Sequence, residues 1–199
     1  MSITAPLDRL AARVRDEGPP LAVSESSTEP DSGFGRPVFG QLAASGPRTS
    51  GDGAEYSFVV EAVREGYLCH YGTSRILDGP DPDLALLAGD LFYAIGIRGL
   101  AGLEDLQSTG ILSDLIRVAA DLQAVGRPDL AEILWIGQIV ALACGKDKDH
   151  GAALRALEVG QDGAGKGLLE WSHDRAATNG LGREFDIAQT AIDSGPSNF

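Results

Sequence analysis

The residues with types and spacing suited to chemistry fall into separate short stretches. Each needs a particular setting to act. Gly160-Gln161-Asp162-Gly163-Ala164-Gly165-Lys166-Gly167 completes the frame G-x-x-x-x-G-K of a phosphate loop. Such a loop uses glycines to let backbone N–H groups wrap a phosphate, a lysine for charge, and a Ser or Thr hydroxyl for Mg²⁺. Gly167 stands where the hydroxyl belongs. The preceding residues 152–159 have helical spacing, whereas a phosphate loop follows a strand. The stretch therefore reads as an interhelical loop.

Asp78, Asp81 and Asp83 offer carboxylate oxygens to a hard cation. Pro80 and Pro82 lie between them and forbid a shared helical face. In an EF-hand frame, Asp83 and Gly89 fill the places that require Gly and Glu. A turn with a helix N-cap at Asp83 is the better reading. His70, His150 and His173 are scattered, no Cys pairs with a His at zinc-ligand spacing, and no G-x-S-x-G turn occurs. His70 beside Cys69 reads as a half-buried structural residue rather than half of a Cys-His pair. Trp135 and Trp171 occupy apolar helical positions. Asp90 interrupts an apolar helix, and a buried carboxylate needs a partner, for which Arg75, Arg98 and Arg117 are candidates. His70, Arg75 and Asp90 are thus the candidate ligand-binding or structural polar site. No catalytic, cofactor-binding or metal-ligating residue is assigned, and no cofactor is expected.

These residues need elements to carry them, and the apolar spacing is helical throughout. Helices are expected over 6–16, 37–44, 54–77, 84–103, 111–125, 130–143, 152–159, 168–177 and 185–192. Gly66 and Gly72 weaken the third of these, each by roughly 1 kcal/mol relative to Ala. No alternating strand pattern and no fixed repeat is present. The spacing predicts an all-α bundle of five to seven helices. Residues 84–103 and 130–143, apolar on most faces, are expected at its centre. Residues 1–35 read as an N-terminal helix and flexible linker, 36–192 as a single helical domain, and 193–199 as a disordered tail.

The totals narrow the classes further. A chain of 199 residues with 43% hydrophobic content can bury a full core without disulfides. Its two cysteines do not suggest a secreted disulfide scaffold. A net charge of −13 repels phosphate backbones and anionic lipid, so no nucleic-acid partner is expected. The N-terminus lacks a signal-peptide pattern. Residues 130–144, which carry Glu132 and Gln138, are too short and polar to span a bilayer, so a cytoplasmic location and no membrane span are expected.

Leu86-Leu87-Ala88-Gly89-Asp90-Leu91-Phe92-Tyr93-Ala94, followed by Leu100-Ala101, resembles the helix after the first aspartate motif in trans-prenyl-diphosphate synthases. Gly35-Arg36-Pro37-Val38 looks like a reduced form of that family's diphosphate-binding turn. Residues 61–70, from Glu61 to His70, sit where the family has a helix ending in I-H-D-D. The resemblance covers residues 35–124 and implies a truncated isoprenoid-synthase-like helical fold. The chain departs where the chemistry lies. It has no adjacent Asp-Asp pair, and Tyr71, Gly72 and Thr73 follow His70 where aspartates would stand. Diphosphate departure needs metal-holding carboxylates. The pattern is most similar to the non-catalytic small subunit, component I, of heterodimeric heptaprenyl-diphosphate synthase. That likeness implies an accessory subunit in menaquinone biosynthesis. Such a subunit has no independent activity, a catalytic synthase as its protein partner in a homo- or hetero-oligomer, and an exposed apolar helix face for the contact. The alternative is a helical scaffold or accessory subunit of an unrelated complex, with fold retained and chemistry lost.

Overall fold

The computed structural model describes residues 5–24 and 36–193. Gly35, most of the expected linker and all but the first residue of the expected tail lie outside them. The architecture is all-α. Among the described residues there are nine α-helices: α1 Pro6–Glu17, α2 Val38–Ala44, α3 Gly53–Tyr71, α4 Pro82–Leu103, α5 Leu106–Ala124, α6 Pro128–Cys144, α7 Lys148–Glu158, α8 Ala164–Thr178 and α9 Gly182–Asp193. A short 3₁₀ turn, Ser50–Asp52, leads into α3. Each of the nine segments expected to be helical carries a helix, so the bundle has more than the expected five to seven members; even the short α1, α2 and α9 find a docking face. Tertiary packing stabilises helices too short to persist alone.

Two helices form the middle of the bundle. Every residue of α6 from Leu134 to Cys144 is buried, as the apolar run predicts. The second is α3, buried without a break from Tyr56 to Cys69. Around α6 stand α2, α5 and α8, and α7 packs on α8. Phe39, Tyr67 and Trp135 meet where α2, α3 and α6 converge, with ring centroids 5.5 and 5.6 Å from Trp135. A smaller apolar cluster forms where the Leu7, Leu10, Ala11 and Val14 stripe of α1 meets Phe58 of α3 and Phe92 of α4.

The expectation that residues 84–103 are central is corrected: α4 lies at the edge. It packs chiefly on α3, and its far side carries Leu86 and Leu87 at 47% and 67% exposure. Periodicity reports how apolar a helix is; it does not report how many neighbours cover it. This 22-residue helix is also the one, among the described residues, long and apolar enough by composition to cross a membrane, rather than 130–144. A single such helix is weak evidence for a span, and this one is 28% buried over that window.

Helix boundaries show two further corrections. The third helix ends at Tyr71 rather than Leu77, because the chain turns at Gly72 and Ser74 Oγ accepts the N–H groups of Ile76 and Leu77. That turn buries Ile76 and Leu77 in the α1 cluster. The fifth helix begins at Leu106, five residues before the expected start at Ile111. Asp105 caps it by accepting the Ser108 N–H at 3.0 Å, so Gln107–Gly110, left outside the expected helices, belongs to the start of a helix. Gly66, expected to weaken α3, sits at the close approach of α4. A Cβ there would stand 2.5 Å from the Tyr93 ring.

Candidate functional site

The burial of α3 draws its ionisable side chains inside the protein. Glu61 and Glu65 are one helical turn apart on one face, and both are fully buried. An unpaired carboxylate there would be strongly destabilising. The partner comes from the loop after α3, which folds back and inserts Arg75. Its Nη2 donates to Glu61 at 2.6 Å and its Nε to Glu65 at 2.5 Å. The other Glu61 oxygen accepts the Gly40 N–H at 2.6 Å, and the other Glu65 oxygen accepts Ser74 Oγ at 2.8 Å and the Arg75 N–H at 3.1 Å. All four carboxylate oxygens are satisfied. Burial works against the Arg75 charge, but the two adjacent carboxylates outweigh it and hold the guanidinium charged more firmly than an ordinary arginine. A guanidinium thus fills the space between two acids, the position a cation would take.

Beside this triad runs a narrow cleft lined by Arg36, Arg64, Thr73, Arg75 and Glu132. Arg64 donates to Glu132 at 2.8 Å and lies about equally far from the Phe39, Tyr67 and Trp135 rings, at 5.0, 5.0 and 4.9 Å. Arg64 and Arg75 each serve a carboxylate there, while Arg64 Nη1 is buried without a hydrogen-bond partner. Tyr67, buried and close to Glu132, is pushed up to about 12 and stays a neutral phenol that accepts from Gln123 Nε2 at 2.7 Å.

The structure brings His70 and Asp90 together and keeps Arg75 apart from them. His70 Nε2 lies 3.3 Å from an Asp90 oxygen, and the His70 ring stacks on Tyr93 with centroids 5.3 Å apart. Gly89 admits the ring, since a Cβ there would lie 2.7 Å from it. Asp90 is not the buried carboxylate the sequence implies. Its side chain is 74% exposed because α4 lies at the edge. Of its candidate partners, Arg75 holds Glu61 and Glu65, Arg117 pairs with Asp114, Asp121 and Glu158, and Arg98 is exposed. Cys69 faces the α1 cluster, and burial next to Glu65 pushes its thiol up to about 12. A thiol that stays protonated is a poor nucleophile.

The remaining motifs are structural in their surroundings. Asp81, rather than Asp83, is the N-cap of α4, accepting the Leu84 N–H at 2.9 Å with Pro82 in the first turn. Gly160 and Gly163 take positive φ in the turn before α8. Gly165, Lys166 and Gly167 belong to the first turn of that helix, and Lys166 pairs with Glu170 at 3.6 Å. The element before this turn is the helix α7. Trp135 is buried in the core, while Trp171 lies against His150 with centroids 4.7 Å apart. Among the described residues no three His, Cys, Asp or Glu side chains converge as metal ligands.

Sequence reasoning missed Glu61 and Glu65. Their signal was present as two glutamates at i, i+4 inside a run bearing apolar residues on every side. No family model, curated protein or solved structure matches this chain.

Proposed function

We propose that the chain is a non-catalytic helical partner subunit of a long-chain prenyl-diphosphate synthase assembly, of the kind that makes quinone side chains. The observation that carries this reading is the Glu61–Arg75–Glu65 triad. Its two glutamates lie in the helix that the resemblance aligns with the helix ending in I-H-D-D of the synthases, one turn apart and gripping a guanidinium from the following loop at 2.5 and 2.6 Å. A Mg²⁺ ion asks for six oxygens in near-octahedral array. The triad does not fit it, since all four oxygens already have donors. No diphosphate departure is routed through these residues. Retention of the Leu-Ala-Gly-Asp helix beside such a triad fits a fold kept for assembly.

The test is capture from the native host, followed by reconstitution. The tagged chain is expected to recover a catalytic prenyl-diphosphate synthase subunit. The mixture is expected to convert isopentenyl and allylic diphosphates with Mg²⁺ to a long-chain product that neither protein makes alone. Recovery of an unrelated complex would favour the accessory-subunit alternative. Turnover by the purified chain alone would overturn both.

A further inference from the structure

The far side of α4 is nearly its own complement. Leu87, Asp90, Ala94, Arg98 and Ala101 are all exposed. At 100° per residue they lie within about 40° of the Ala94 direction, forming one stripe along the helix. Position by position, the stripe mirrors about Ala94. Asp90 and Arg98 lie four residues to either side, and Leu87 and Ala101 lie seven. Leu86 and Gly102 lie about 80° round on opposite flanks and take no part in the pairing. Acid therefore mirrors base, and large mirrors small.

We infer that this face of α4 seats a second copy of the chain, antiparallel, with the two-fold axis at Ala94. In a two-fold contact, residue i meets residue j of the partner and j meets i. That operation sets Asp90 against the other copy's Arg98 twice. It also fits each Leu87 over the small Ala101. The pairs sit about 6 Å and about 10 Å along the axis from Ala94, given a rise of about 1.5 Å per residue. Ala94 at the crossing permits the short end of the roughly 8–10 Å interaxial range. A parallel arrangement would oppose Asp90 to Asp90 and Arg98 to Arg98, which costs rather than contributes. Asp90 keeps an oxygen free for this role, since His70 approaches only one of them and the side chain is 74% exposed. The helix is about 33 Å long, and a stripe about 10 Å wide covers roughly 330 Å² per copy. This is below the roughly 800 Å² per partner of a standard stable interface, so the dimer is a concentration-dependent one. The inference does not depend on the prenyl-synthase reading, and the two are tested on different samples.

The test uses the purified full chain in sedimentation equilibrium from about 5 to about 500 µM, where a weak interface of this size becomes populated. Reversible dimerisation is expected. Asp90→Arg and Arg98→Asp should each weaken it at least about tenfold by placing like charges across the seam. Mixing those two variants should restore dimers, because each then supplies what the other lacks. The double variant Asp90→Arg/Arg98→Asp should dimerise like the wild type. All these side chains are exposed, so circular dichroism should show an unchanged fold. Ala94→Cys should form a covalent dimer on oxidation, since both native cysteines are buried. A monomer across the whole range would overturn the inference, as would a dimer indifferent to both charge reversals. A monomer that instead partitions into phosphatidylcholine vesicles would assign the face to lipid and overturn it equally.

Discussion

The neighbouring helices α3 and α4 invert the usual relation between hydropathy and depth. The buried stretch of α3 carries Glu61, Arg64 and Glu65, yet it runs through the middle of the protein. The α4 helix is apolar along most of its length, yet Leu86 and Leu87 lie in the open. Burial on α3 is made tolerable by side chains arriving from elsewhere: Arg75 from the following loop, Glu132 from α6 and the Gly40 N–H from α2. Among the described residues, nothing comparable reaches the outer side of α4. Depth is decided by which elements close over a helix, and a buried ion must have its partners in place before that closure is favourable.

The sharpest way to break this comparison is to remove the partner. Arg75→Met leaves Glu61 and Glu65 in the interior with no opposing charge. Loss of one member of a buried pair typically costs about 3–5 kcal/mol, and urea unfolding at neutral pH should register a loss of that order. The triple variant Glu61→Gln/Glu65→Gln/Arg75→Met should recover much of it, because no charge then remains buried. A single variant with near-wild-type stability would mean that α3 is not the packed centre described here.

The contact between the two helices offers the next largest effect. They approach through glycines, and a Cβ at Gly66 would stand 2.5 Å from the Tyr93 ring. Gly66→Ala gains helix propensity worth roughly 1 kcal/mol. Overpacking of a closed contact costs about 1–3 kcal/mol. A net loss is expected, read as a lower urea midpoint, and an accompanying shift in Tyr93 fluorescence or NMR signals would locate it. A net gain would show that α4 can slide outward freely, as an edge helix with a loose contact would.

The helical class and the apolar stripes were legible in the sequence because they depend on local spacing. The amphipathic patterns of α1 and α9 and the apolar run of α6 mark real buried surfaces. The depth of α3 and α4 was not legible, because it rests on contacts remote in sequence. Arg75 reads as a partner for Asp90 when only charge and helical proximity are weighed. The turn at Gly72 and Ser74 sends it to Glu61 and Glu65 instead. The start of α5 was missed for a similar reason. Gln107-Ser108-Thr109-Gly110 looks like a turn until Asp105 is seen to accept from Ser108 and Tyr56 while pairing with Arg48 at 3.0 Å.

Two titrating groups outside the α3–α4 pair test whether polar burial behaves alike elsewhere. His150, 2% exposed, is depressed to about 4, chiefly because burial disfavours its charged form, with the nearby Asp147 charge opposing. The unfolded chain therefore binds a proton that the folded one refuses between pH ~6.5 and ~4, and stability falls as pH falls through that window. About 2 kcal/mol should be lost between pH 7 and 5, and His150→Gln should flatten that part of the curve. For Asp105, burial pushes upward, but hydrogen bonds from Ser108 and Tyr56 and the Arg48 charge bring it down to about 2. Its contribution is present above the unfolded value near 3.9 and is lost as pH falls toward ~2. Denaturant midpoints measured from pH 7 to pH 3 should thus show two successive declines, the first removed by the His150 change and the second by Asp105→Asn.

The smallest expected effect is the most discriminating between a surface and a core. Leu87 on α4 and Leu134 on α6 are the same residue type in helices of similar apolarity, but one is 67% exposed and the other fully buried. Leu134→Ala should cost about 2–5 kcal/mol through lost transfer energy and the cavity left behind. Leu87→Ala, measured at a dilution where the chain is monomeric, should fall within about 0.5 kcal/mol of wild type, because its side chain leaves water only slightly on folding. The same change measured at high protein concentration should lower the unfolding midpoint further if a second copy covers the stripe, since dimerisation stabilises the folded state by mass action. A Leu87 effect of several kcal/mol at high dilution would place α4 inside a larger closed core and remove the contrast with α3.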